Sequence, residues 1–109
     1  MSASLPAVET ACEALGSLAD PLRWRIVALL SGGERCVCDL EGLLGLTQSR
    51  LSYHLGILRK AGLLTARKEG RWMYYSVAPD GLEALASELG RLAEDCRSAA
   101  LNSRARSCN

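Results

Sequence analysis

A chain of 109 residues with a formal net charge of +1 is bounded to one small domain. Apolar residues make up 49%, which excludes a disordered chain, and no uncharged apolar run approaches the length of a membrane span. The opening stretch MSASLPAVETACEALG has no basic start ahead of a continuous apolar core, so no secretion signal is expected and the expected compartment is cytoplasmic.

Five cysteines, Cys12, Cys36, Cys38, Cys96 and Cys108, are an odd number. Without an export signal they are expected to be reduced thiols rather than a disulfide framework. Charge is unevenly spread. From Thr47 to Arg71 there are six basic residues and one acid. A basic half on a nearly neutral chain points to a polyanionic partner. A solvated charged face is the plain alternative.

In chain order, the first helix is expected from about Pro6 to Gly16, with Leu5, Val8, Cys12 and Leu15 on one face. The stretch ADPLRWRIVALLSGG opens with Asp20 as N-cap and Pro21 at the first helical position, and closes at Gly32-Gly33. Its apolar stripe is Leu22, Ile26, Leu29 and Leu30. A short third helix runs from about Cys38 to Leu44 with Leu40, Leu43 and Leu44 inward, and Gly45 ends it. Thr47 then N-caps a fourth helix to about Ala61, whose buried stripe is Leu51, Leu55 and Leu58.

Two helices joined by a short glycine-containing turn read as a helix-turn-helix. The segment LLTARKEGRWMYYSV follows as two strands around Glu69-Gly70, a tight basic hairpin. Trp72, Tyr74 and Tyr75 on it read more readily as core than as stacking residues. Helix-turn-helix plus hairpin is the winged variant. The second helix of the pair enters the major groove and the wing touches the adjacent backbone. The expected DNA-facing residues are Gln48, Ser49, Arg50, Ser52, Tyr53, His54 and Lys60 on the helix, and Arg67, Lys68 and Arg71 on the wing. A last helix is expected from about Asp80 to Ser98. Leu82, Leu85, Leu89, Leu92 and Cys96 on it are spaced as a heptad seam suited to a partner helix. Residues 98–109 read as a flexible tail. The fold class is therefore α+β, mostly α: one winged helix-turn-helix domain over residues 1–109 with a two-stranded wing.

Leu15 to Val77, LGSLADPLRWRIVALLSGGERCVCDLEGLLGLTQSRLSYHLGILRKAGLLTARKEGRWMYYSV, resembles the arsenic-responsive repressor (ArsR/SmtB) family of metal-sensing winged-helix proteins. Asp20-Pro21 with Arg23, then CVCDL, TQSRLSYHL and EGRWMYY, carry the resemblance. It implies a homodimer built on the first and last helices, with Val8, Cys12, Leu15, Leu85, Leu89 and Leu92 at the interface. It also implies a repressor of double-stranded operator DNA, not an enzyme, that leaves when a metal or metalloid binds. Three positions depart from the family pattern. The last helix has no histidine, which removes the zinc site some members carry there. Glu41 stands where the arsenic-sensing subset often has a third cysteine. Gly56 stands where relatives commonly have lysine.

Trivalent arsenic and antimony are soft ions suited to two or three thiolates. Cys36 and Cys38 are the first candidates, with Cys96 or Cys12 as a further ligand and Cys108 able to reach from the tail. In an ideal helix residues i and i+2 point about 200° apart. A shared ion therefore requires an extended or unwound chain at Cys36–Asp39. Packing of Cys38, Cys12 and Cys96 is the plain alternative for each. Two rival functions stand beside the metalloid repressor. One is a thiol redox or persulfide switch on the same fold, pairing Cys12 or Cys38 with Cys96. The other is a thiol reductase, which the absence of Cys-x-x-Cys disfavours.

Overall fold

A computed structural model describes residues 5–106. Helix α1 spans Leu5–Leu18 and α2 spans Pro21–Leu30. Asp20 sits in an extended conformation, and its carboxylate accepts from the backbone N–H groups of Leu22 (2.8 Å) and Arg23 (3.2 Å). These bonds hold its carboxyl below its ordinary range, the Arg23 amide contributing most. Asp20 and Pro21 thus start α2 as the sequence implies.

Strand β1 is only Arg35–Cys36, and α3 follows at once over Val37–Leu44. Gly45 closes α3 in the left-handed region (φ 64°), where a side chain would be strained. Thr47 caps α4, Gln48–Lys60, by accepting from the Arg50 amide. Strands β2, Leu64–Glu69, and β3, Trp72–Val77, form the hairpin, and α5 spans Pro79–Arg106.

The sheet has three antiparallel strands in the order β1-β3-β2, not the two expected. Arg35 pairs with Tyr75 and Cys36 with Tyr74. Two residues are too few to show a period of two, so β1 is invisible to pattern reading. The hairpin turn also lies one residue later than expected. Glu69 faces Trp72 across it, which leaves Gly70-Arg71 as the loop.

Helix α5 runs past Ser98 to Arg106, where a loose tail was expected. The stretch after Cys96 contains neither glycine nor proline, and its Ala, Leu and Arg residues favour helix. Cys108 lies outside the described residues. Among the described residues no helix is long and apolar enough to cross a membrane.

The core gathers Ile26, Val27 and Leu30 of α2, Leu40 of α3, Leu51, Leu55 and Leu58 of α4, and Leu63 and Leu64 at the start of β2. The three α4 leucines are fully enclosed, as their spacing implies. At about 1.5–3 kcal/mol for each buried leucine, they fix which face of α4 is left outward. Two expectations fail in detail. Leu43 of α3 is half exposed. Trp72 is 47% exposed and stands outside the core, while Tyr75 packs against it. Elsewhere, on α1, Ala11, Ala14 and Leu18 enter the core, and the Leu5–Val8–Cys12–Leu15 face, which includes the expected interface residues, stays open. Leu85 is 7% exposed, packs in the protomer's own core and also lines the apolar groove between α1 and α5.

Helix α5 begins tightly against the turn between α4 and β2. A Cβ at Gly81 would fall inside the contact surface of the Gly62 carbonyl oxygen. Backbone cannot give way as a flexible side chain would. Gly81→Ala is expected to destabilise the protein by about 1–3 kcal/mol, the usual scale of overpacking. Gly42→Ala in α3, where an added Cβ meets nothing within 4 Å, should be neutral or stabilising. Urea unfolding of both variants checks this, and equal loss at the two sites would contradict it.

Candidate nucleic-acid interface and thiol site

The outward face of α4 follows from its buried one. With Leu51, Leu55 and Leu58 inside, Gln48, Ser49, Arg50, Ser52, Tyr53 and Lys60 are all exposed. Arg50 and Lys60 form no ion pair among the described residues. Their charges are therefore open to an anion.

His54 is different. Its Nδ1 lies 3.2 Å from a terminal nitrogen of Arg23. A guanidinium only donates, so Nδ1 accepts and Nε2 carries the proton of the neutral ring. The same Arg23 donates from Nε to the Ser17 carbonyl oxygen at 2.6 Å and lies 3.9 Å from the Asp20 carboxylate. His54 thus ties α4 to α1 and α2, and it stacks edge-on against Tyr53 with ring centroids 5.2 Å apart.

The wing divides its cations. Arg67 donates from Nε and from one terminal nitrogen to both oxygens of Glu34, each at 2.8 Å, and from the other terminal nitrogen to Glu69 at 2.7 Å. It also lies 4.7 Å above the Tyr74 ring. Its fork is fully occupied. The Arg67 guanidinium in turn holds the Glu34 carboxyl below its ordinary range. Lys68 and Arg71 form no ion pair among the described residues. Arg71 rests over the Trp72 ring at 5.5 Å. Of the three wing cations singled out in the sequence, two are open and one is an internal clamp.

Cys36 solves the geometric problem of the two-residue spacing. It ends β1 in an extended conformation (φ −71°, ψ 149°) and is the N-cap of α3. Its sulfur accepts from the Cys38 amide at 3.2 Å. Because Cys36 is outside the helix and Cys38 in its first turn, their side chains converge. Their Cα atoms are 5.3 Å apart and the sulfurs are joined as a disulfide. The expectation of reduced thiols throughout is corrected at this pair. Cys36 is buried and Cys38 exposed.

The pair forms one wall of a cavity of about 300 Å³. Glu41 of α3, Gln48 and Ser52 of α4, and Arg71 and Trp72 of the wing line the rest with Met73 and Tyr75. Cys12 and Cys96 are free, exposed thiols and do not reach this cavity. Cys12 lines instead an apolar groove of about 460 Å³ between α1 and α5, with Val8, Leu15, Leu89 and Leu92. Leu89 and Leu92 are about half exposed or more along it. Among the described residues no three His, Cys, Asp or Glu side chains converge as a metal site. The Glu34–Arg67 clamp, the Arg23–His54 link and the role of Glu41 were not foreseen. An acid just before the thiol pair and a basic wing were the only signals.

The description "bacterial regulatory protein, arsR family" fits residues 20–66. The arsenical resistance operon repressor of Bacillus subtilis (strain 168) is 44% identical over 73 residues, covering 66% of this chain and 70% of that protein. The chain belongs to the arsR family. The family is one of regulators, not of enzymes. This arsR-family chain is also 51% identical over 63 residues to the arsenical resistance operon repressor of Escherichia coli (strain K12). That match covers 57% of this chain but 54% of the E. coli protein, so it spans about half the relative's length. A homodimeric winged helix-turn-helix DNA-binding domain from Mycobacterium bovis superposes with a TM-score of 0.66 at 30% identity, covering 81% of each chain.

The clamp has a pH signature. A carboxyl lowered in the folded state contributes stability above its unfolded value, and that stability is lost as pH falls through the folded value. The melting-temperature gap between the protein and Glu34→Gln should therefore be widest near about pH 7 and shrink toward about pH 3. Salt should narrow it as well, because the pair is exposed. A gap independent of pH would mean that Glu34 acts by packing and not by charge.

Proposed function

We propose that this arsR-family protein is an operator-binding repressor that dimerises through α1 and α5 and is released by trivalent arsenic or antimony at Cys36 and Cys38. The observation that carries the reading is the convergence of the two sulfurs at the N-cap of α3. The donor set fits the ion: two adjacent thiolates are soft ligands, and the dithiol form of the same backbone presents both to one centre. The bacterial relatives named as arsenical resistance operon repressors support the same reading.

The dimer part rests on the open apolar face. Val8, Cys12, Leu15, Leu89 and Leu92 line a groove too apolar to favour solvent. A second copy crossing α1 and α5 covers it, as the homodimeric M. bovis domain suggests. Two recognition helices at a fixed separation then read two half-sites.

The release step follows from the cap. The Cys36 sulfur satisfies the Cys38 amide at the start of α3. When Cys36 and Cys38 both bind an ion, the Cys36 sulfur is drawn from that amide and the first turn of α3 must adjust. Leu40 and Leu44 of α3 pack in the core shared with α4, so the recognition helix feels the change. A 100-fold loss of operator affinity requires only about 2.8 kcal/mol of coupling. Inducer at the thiols acts on the reading helix through packing.

The disulfide favours a second reading. Oxidation of Cys36 and Cys38 would itself close the pair and bias α3 without any ion.

Two expected outcomes test the DNA contacts of the wing. Lys68→Ala and Arg71→Ala should each flatten the salt dependence of operator affinity by about one unit of slope per contact and half-site. Arg67→Ala should lower the melting temperature and leave the slope alone. If Arg67→Ala flattens it equally, the guanidinium leaves Glu34 for the DNA backbone.

Gel-shift titrations of single Cys→Ser variants test induction. Cys36→Ser and Cys38→Ser should keep operator binding and lose release by arsenite, since serine is a far poorer soft-ion ligand. Cys12→Ser and Cys96→Ser should still respond. Release of both Cys36→Ser and Cys38→Ser by arsenite would refute the site. Release of the native protein by peroxide alone, with arsenite inert, would leave the redox reading standing.

A further inference from the structure

The thiol site supplies two ligands where trivalent arsenic takes three. Among the described residues no third cysteine, histidine or carboxylate joins the pair. Cys12 and Cys96 stand on other surfaces. The space beside the sulfurs is nevertheless shaped and polar. A cavity of about 300 Å³ is within the range of small-molecule sites.

Its lining carries one anion, Glu41, and one cation, Arg71. Neither forms an ion pair with the other or with any described residue. Gln48 and Ser52 add amide and hydroxyl groups, and Trp72 a flat apolar wall. Two opposite, unpaired charges flanking hydrogen-bonding groups match a zwitterion. Glu41 suits an ammonium group and Arg71 a carboxylate.

We propose that this cavity takes a zwitterionic low-molecular-weight thiol, of the cysteine or glutathione class, as the third ligand of arsenic held by Cys36 and Cys38. The inference rests on the metalloid reading above. The chemistry balances without change of oxidation state at arsenic. The two protein thiols condense with arsenous acid, forming two As–S bonds and releasing two waters. The small thiol then forms the third As–S bond as the remaining As–OH bond breaks, and its proton leaves with the hydroxide as water. The Cys36–Cys38 disulfide must first be opened. Two equivalents of the same class of thiol do so and leave as their own disulfide.

The placement also gives the small thiol a direct effect on DNA. Gln48, Ser52 and Arg71 line the cavity and belong to the surfaces expected to meet the operator. A carboxylate on Arg71 competes with a phosphate for the same fork.

The test uses the full chain, reduced with a phosphine and free of other thiols. Native mass spectrometry and arsenite titration are run with arsenite alone, with added glutathione, and with added 2-mercaptoethanol. Glutathione should be retained one per arsenic and tighten arsenite binding by about tenfold, the scale of a charge-assisted hydrogen bond. 2-Mercaptoethanol, which lacks both charges, should do far less. Glu41→Gln should keep arsenite binding and lose most of the glutathione effect. Identical arsenite binding with and without glutathione, no retained thiol, or equal action of 2-mercaptoethanol would each overturn the inference and leave the two-thiol site standing. Arsenite binding that survives in both Cys36→Ser and Cys38→Ser would instead overturn the metalloid site itself.

Discussion

The Arg23 guanidinium is the joint on which the reading surface depends. It is largely enclosed, its side chain 15% exposed, and it can only donate. It finds the Ser17 carbonyl at the end of α1, the Asp20 carboxylate at the start of α2 and the His54 ring in α4. A buried cation without such acceptors would be destabilising. With them, it specifies the angle at which α4 leaves the core. The leucines of α4 decide which face is buried, but apolar contacts are non-directional. The directional bond to His54 adds an orientation that packing alone does not set.

The same allocation of donors explains the wing. Arg67, Lys68 and Arg71 look equivalent in the sequence, yet Glu34 converts one of them into a strut. Glu34 precedes β1, and its bidentate bond to Arg67 fastens the distal strand β2 to the segment that leads into the thiol pair. Exposed ion pairs contribute little on average. This one has bidentate geometry, a second carboxylate and an aromatic face beneath it. Its effect is on the position of the wing more than on total stability.

The helices were legible because their signals are local and repeated. Asp20-Pro21, Gly45 and Thr47 mark ends by their own backbone chemistry, and the α4 leucines mark a face three times over. What was not legible was set by partners distant in sequence. Strand β1 exists because Arg35 and Cys36 meet Tyr75 and Tyr74, forty residues away in round terms. Leu85 and Leu89 share one heptad seam and line the same groove, but only the structure shows that Leu85 is nearly enclosed by its own protomer while Leu89 stays half exposed. The thiol site was half legible. The spacing of Cys36 and Cys38 required an extended residue between strand and helix for the sulfurs to meet, and the structure supplies it at Cys36. Glu41 read as the loss of a third thiol, and nothing local revealed the cavity it borders.

Cys36 holds three structural positions at once: it pairs in the sheet, caps α3 and borders the core. A residue with one such role could be perturbed without consequence beyond its own turn. Here any demand on the sulfur is shared between the strand that leads to the wing and the helix that supports α4. Interiors are close-packed and do not deform continuously, so a small displacement at such a point is passed on rather than absorbed. The strand pairing that leads to the wing and the helix that packs against α4 meet at the same cysteine.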